Sequence, residues 1–161
     1  MGFAKLSLKG RALKLLGQRE HSRLELERKL APHVEEGEDL GAMLDALEQR
    51  GFISAQRVAE SVLHQKAARF GTARVVQELR NKGLDDGLVR AAAEQLRATE
   101  LQRALAVWRQ RFGSPPTTPQ ERLKQMRFLA ARGFGGEIAS KVLRGRSEDW
   151  DAGAEIGRAH V

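Results

Sequence analysis

Apolar residues recur along this chain at spacings of three and four, in short stretches bounded by helix-start and helix-stop signals, so the pattern predicts amphipathic helices. The first covers 7–17, with Leu8, Ala12, Leu15 and Leu16 on one stripe and Gly17 as its stop. Ser22 and Glu25 are spaced as a capping box, and the helix they open runs to about Ala31, where Pro32 ends it. After an acidic loop at 33–37, Asp39 caps a third helix reaching Arg50, with Leu40, Met43, Leu44 and Leu47 inward. Ser54 caps the next, which carries Val58, Val62 and Leu63 to about Ala68. Gly71-Thr72 restarts the chain into Val75, Val76 and Leu79; Asp85 or Asp86 then opens a helix with Leu88, Val89, Ala92 and Leu96. A longer one from about Thr99 places Leu101, Leu105, Trp108 and Phe112 at helical spacing. Gly113 to Pro116 form the strongest break. Thr118-Pro119-Gln120-Glu121 is a second capping box, with proline at the first helical position, and leads into Leu123, Met126 and Ala130. Ile138, Val142 and Leu143 make a short last helix.

Three of these helices end on one formula. Leu47-Glu48-Gln49-Arg50-Gly51-Phe52, Leu79-Arg80-Asn81-Lys82-Gly83-Leu84 and Leu129-Ala130-Ala131-Arg132-Gly133-Phe134 all read Leu-x-x-cation-Gly-apolar. The glycine suits the left-handed turn that closes a helix, the cation faces the negative end of the helix dipole, and the apolar residue folds back on the last turn. Recurrence suggests one supersecondary unit used repeatedly. The expectation is an all-α chain, an elongated and curved array of three tandem three-helix repeats over 1–53, 54–97 and 98–150. Residues 151–161 follow as a non-native or disordered tail, because Glu155 to Val161 read like translated adapter sequence.

Composition agrees: Ala, Leu, Arg, Glu and Gln dominate, tyrosine and cysteine are absent, and no strand-period alternation appears. Without cysteine there is neither a disulfide nor a thiolate metal site. No apolar run approaches a membrane span and the start lacks a secretory core, so the expected compartment is the cytoplasm. Charge changes the picture more. The net value is +7, and it is uneven: acids outnumber bases between Glu20 and Glu48, whereas eleven bases stand against three acids between Arg97 and Arg146. Such asymmetry points to a polyanion or an acidic protein surface as partner.

Catalytic chemistry is missing. His21, His33, His64 and His160 show no metal-ligand spacing and are expected at the surface or as caps. Gly133-Phe134-Gly135-Gly136 follows a helix and lacks the Gly-Lys-Ser/Thr of a phosphate loop. The acids at 35–39 lack the alternation of a calcium loop. Trp108 sits on an apolar stripe and is expected in the core. No enzyme activity and no cofactor are expected.

Four motifs in order carry a family resemblance. Arg11 to Leu16 with Arg19-Glu20-His21-Ser22, Glu25-Leu26 and Lys29-Leu30; Leu47 to Glu60; Gln77 to Gly83; and Lys124 to Phe134 resemble the RecX family of recombination regulators. The likeness covers about 8–145, with one departure at Ala55, in a stretch where the family usually carries an aspartate before the arginine. The resemblance implies a crescent of three-helix repeats and, as partner, the RecA recombinase filament on single-stranded DNA, whose extension, ATPase and strand exchange such proteins restrain by binding, and with them the SOS response. On this reading the protein is a monomer with no membrane role. Its candidate contacts are Lys66, Arg69, Arg74, Lys82, Arg103, Arg111, Arg122, Lys124, Arg127 and Arg132. Two other readings compete: a stand-alone helical DNA-binding module, for which the bases are too dispersed, and a helical protein–protein adaptor.

Overall fold

A computed structural model describes residues 5–144. These residues form nine α-helices and no strand: α1 (Leu8–Gln18), α2 (Arg23–Leu30), α3 (Leu40–Gln49), α4 (Ala55–Lys66), α5 (Thr72–Asn81), α6 (Asp86–Ala98), α7 (Glu100–Arg111), α8 (Pro119–Ala131) and α9 (Gly136–Arg144). The tail at 151–161 lies outside the described residues. Among the described residues there are two compact units, one from residues up to His64 with Glu78–Arg90, the other from Gln65–Gln77 with residues 91–144.

Local signals set most boundaries. Ser22 accepts from the Glu25 amide while Glu25 accepts from the Ser22 amide, a complete capping box. Asp39 caps α3 through the Ala42 amide, Ser54 accepts from the Arg57 amide, and Asp85 rather than Asp86 caps α6 through Leu88. Two expectations needed adjustment. Gly17 does not stop α1, which runs to Gln18 and ends where Arg19 turns extended. At α8 Thr118 caps the Glu121 amide, but the Glu121 carboxylate reaches back to the Thr117 amide and hydroxyl instead of closing the box on Thr118.

The first unit is built on Leu8, Ala12, Leu26, Leu30, Leu44, Leu47 and Ile53. His21, expected at the surface, is buried at 1% exposure: its Nδ1 lies 3.0 Å from the Arg19 carbonyl and its Nε2 3.0 Å from Lys29 Nζ. Burial pushes its pKa down, which favours the neutral ring, with Nδ1–H donating to the carbonyl and Nε2 accepting from the ammonium. The second unit packs Ala104, Leu105, Val107, Trp108, Leu129, Phe134, Ala139, Val142 and Leu143. Trp108 is fully buried as expected, and its indole N–H donates to Gln125 Oε1 at 2.8 Å. That bond sets the face of α8. Gln125 and Leu129 point inward, while Leu123 (49% exposed) and Ala130, expected inside, face out.

All three Leu-x-x-cation-Gly-apolar segments close their helices in the same way. Gly51, Gly83 and Gly133 have φ of 82°, 76° and 91°, and in each the amide after the glycine donates to the carbonyl of the motif leucine, which is buried. Beyond that they diverge. A Cβ on Gly51 would meet nothing, and Phe52 is 45% exposed. Gly83 instead presses on the first turn of α2, where a Cβ would lie 2.7 Å from Leu24 Cδ2, and Gly133 presses on the first turn of α5, 2.4 Å from Arg74 Cβ. Two copies are therefore docking joints, and the first is only a helix stop.

Candidate functional site

The second unit's joint gathers charge. After α4 the chain turns through 67–71 and enters α5, and there the Gly71 amide donates to the Arg132 carbonyl at 2.7 Å. A Cβ on Gly71 would lie 2.3 Å from the Gly133 carbonyl oxygen, so two backbone segments touch where neither carries a side chain. Arginines flank the crossing and bind reciprocally. The Arg74 guanidinium donates to the Ala131 carbonyl, the last of α8, at 3.0 Å, and that of Arg132 to the Arg69 carbonyl, in the turn after α4, at 3.3 Å.

Phe70 is half-buried among these cations. The guanidinium carbons of Arg74, Arg69 and Arg132 lie 4.1, 5.3 and 5.6 Å from its ring centre and Lys66 Nζ 5.7 Å, within cation–π range. One helical turn back from Arg132, Phe128 has Arg132 at 5.1 Å and Arg111 at 5.9 Å. Phe112 meets Phe128 edge-on, with centroids 5.2 Å apart and planes at 89°, and holds Arg111 at 5.5 Å. The outcome is a continuous strip of alternating rings and cations. Among the described residues no carboxylate lies within ion-pairing distance of Lys66, Arg69, Arg74, Arg111 or Arg132. The first unit is the opposite case: Glu20 pairs with Arg57, Glu25 with Arg19 and Lys82, Glu27 and Asp45 with Arg23, and Glu35 with Lys5. Ring faces and carbonyls hold the strip's like charges close, and an anionic partner would relieve their repulsion.

The remaining candidates divide. Lys82 is largely buried and donates to Glu25 at 3.2 Å, so its charge is spent inside the first unit. Arg103 also turns inward. It donates to the carbonyls of Ala67 (2.8 Å), Phe70 and Leu96 (2.8 Å) and to the Thr99 hydroxyl (3.1 Å), closing the ends of α4 and α6. Burial lowers its pKa, and Glu100 opposes the shift. Glu100 in turn accepts from the Thr72 hydroxyl at 3.0 Å and the Thr72 amide at 3.4 Å, at the start of α5. Arg122, Lys124 and Arg127 are exposed along α8.

The charge pattern alone missed the rings, although a signal was present. Arg-Phe occurs at 69–70, 111–112 and 127–128, and the rings of all three dipeptides lie in the strip.

Known proteins resemble the chain throughout. Residues 56–92 match the model of the second three-helix domain of RecX and 98–143 that of the third. The regulatory protein RecX of Ralstonia nicotianae is 49% identical over 93% of this chain and 94% of its own length. That of Leptothrix cholodnii is 52% identical over 86% and 88%. The crystal structure of RecX from Lactobacillus salivarius superposes with a TM-score of 0.71 over 90% of this chain and 95% of that one; at 18% identity it speaks for the fold.

Proposed function

This chain belongs to the RecX family of regulatory proteins, and from that premise we propose that it acts by binding the RecA recombinase filament on single-stranded DNA and restraining its extension, ATPase and strand exchange. The observation that carries the reading is the uncompensated ring-and-cation strip. Phosphates of a nucleic acid, or carboxylates lining a filament, would supply the counter-charge that Lys66, Arg69, Arg74, Arg111 and Arg132 lack. Phe70 and Phe128 add surfaces on which an unpaired base could stack. Arg122, Lys124 and Arg127 extend the basic character along α8, whereas Lys82 and Arg103 serve the fold. Restraint of recombination and of the SOS response would follow from occupancy of the filament, with no reaction by this protein.

Titration into a RecA strand-exchange and ATPase assay tests the proposal. Inhibition well below one protein per recombinase supports blocking of the filament; no effect at excess overturns it.

A further inference from the structure

A second feature lies in the first unit and shares no residue with the strip. Leu6, Leu15 and Leu30 line a depression of about 310 Å³, with Arg11, Lys14 and Lys29 among the residues around them. No acidic side chain contributes to its wall, although this part of the sequence is the acid-rich one. Lys29 is oriented by His21 at 3.0 Å, and the side chains of Arg11 and Lys14 have no hydrogen-bond or ion-pair partner among the described residues. The carboxylate of Glu35, which feels Arg11, is already held by Lys5 at 2.7 Å. Leu6 stands 48% exposed at the site. An apolar floor ringed by unspent cations is matched by an apolar side chain flanked by carboxylates.

We propose that this depression docks an acidic segment of a protein partner, seating one apolar side chain against Leu6, Leu15 and Leu30 and its neighbouring carboxylates on Arg11, Lys14 and Lys29. The lining decides between macromolecules. Its wall holds no phenylalanine, tyrosine or tryptophan, the one ring being the His33 imidazole, and its volume, at the low end for a binding cleft, suits one or two side chains. Charge-assisted pairs to the flanking carboxylates would supply orientation.

The inference does not depend on the filament reading, because it is tested without recombinase. The full chain is titrated against a labelled peptide bearing one phenylalanine between two pairs of glutamates, with a glutamine-substituted peptide and an oligothymidine as comparisons. The expected result is saturable binding of the glutamate peptide alone, weakened about tenfold by Lys14→Glu. Arg11→Gln should also weaken it and Arg97→Gln, at an exposed cation outside both surfaces, should leave it unchanged, with helicity of each variant checked by circular dichroism. Absence of binding, equal binding of the glutamine peptide, or an oligothymidine that competes for the site and depends on Lys14 would each overturn the proposal.

Discussion

The Gly71 amide donates to the Arg132 carbonyl at 2.7 Å, and this bond, with that from the Arg132 guanidinium to the Arg69 carbonyl, ties the turn after α4 to the end of α8. It forms because Gly71 and Gly133 together leave no side chain between the two backbones. The proximity of Arg69, Arg74 and Arg132 around Phe70 depends on it.

Replacing Gly71 tests that dependence. Gly71→Ala sets a Cβ 2.3 Å from a carbonyl oxygen and 2.4 Å from its carbon, backbone atoms that cannot swing aside. Destabilisation of about 2–3 kcal/mol is expected in urea denaturation, as for other overpacked positions. Gly136→Ala, where a Cβ meets nothing, should stay within about 0.5 kcal/mol of wild type.

Acid should weaken the first unit in two stages. Burial of the His21 ring depresses its folded pKa below 6.5, so the unfolded chain takes up a proton first and stability falls as pH drops through that value. Burial by itself would raise the Glu25 carboxyl, yet hydrogen bonds from Arg19, the Ser22 amide and Lys82 outweigh it and hold the group at about 2 against an ordinary 4.5. Its contribution is therefore complete above about 4.5 and is lost as pH falls toward 2. Thermal melts across pH should show both limbs. His21→Gln should flatten the upper one and Glu25→Gln the lower, the latter costing about 1–3 kcal/mol at neutral pH.

Arg103 is expected to matter for stability and little for binding. Arg103→Leu orphans the carbonyls of Ala67 and Phe70, leaves that of Leu96 to Thr99 alone, and should cost about 3 kcal/mol. A calorimetric scan and oligonucleotide titration on the same sample separate the two: a lowered Tm with unchanged affinity, measured below that Tm, is the predicted pair.

The strip should behave in reverse. Arg69→Glu combined with Arg111→Glu removes two exposed, unpaired cations. We expect inhibition of RecA strand exchange to fall about tenfold or more, the slope of log affinity for the single-stranded DNA complex against log salt to drop by about 0.7 per lost phosphate contact, and melting to change little. Undiminished inhibition by this variant would remove the strip from the interface.

Sequence alone determined the helical class and most helix boundaries of this chain. Capping boxes, left-handed glycines and apolar spacing act within one or two turns, so Ser22 with Glu25, Asp39 and the Leu-Gly signature at 129–133 declare themselves locally. It also carried the family, through four motifs in order. What it could not determine was anything set by a distant neighbour. Gly51, Gly83 and Gly133 look alike in the chain, and only packing makes the last two docking joints. Leu123 reads as inward until Gln125 is found answering the Trp108 indole. The ten candidate cations were equivalent as letters; burial and pairing turned Lys82 toward Glu25 and Arg103 toward three carbonyls, and left Arg69, Arg74, Arg111 and Arg132 among aromatic rings. Charge is a property of composition, but whether a charge remains available to a partner depends on which groups the tertiary structure brings within a few ångströms of it.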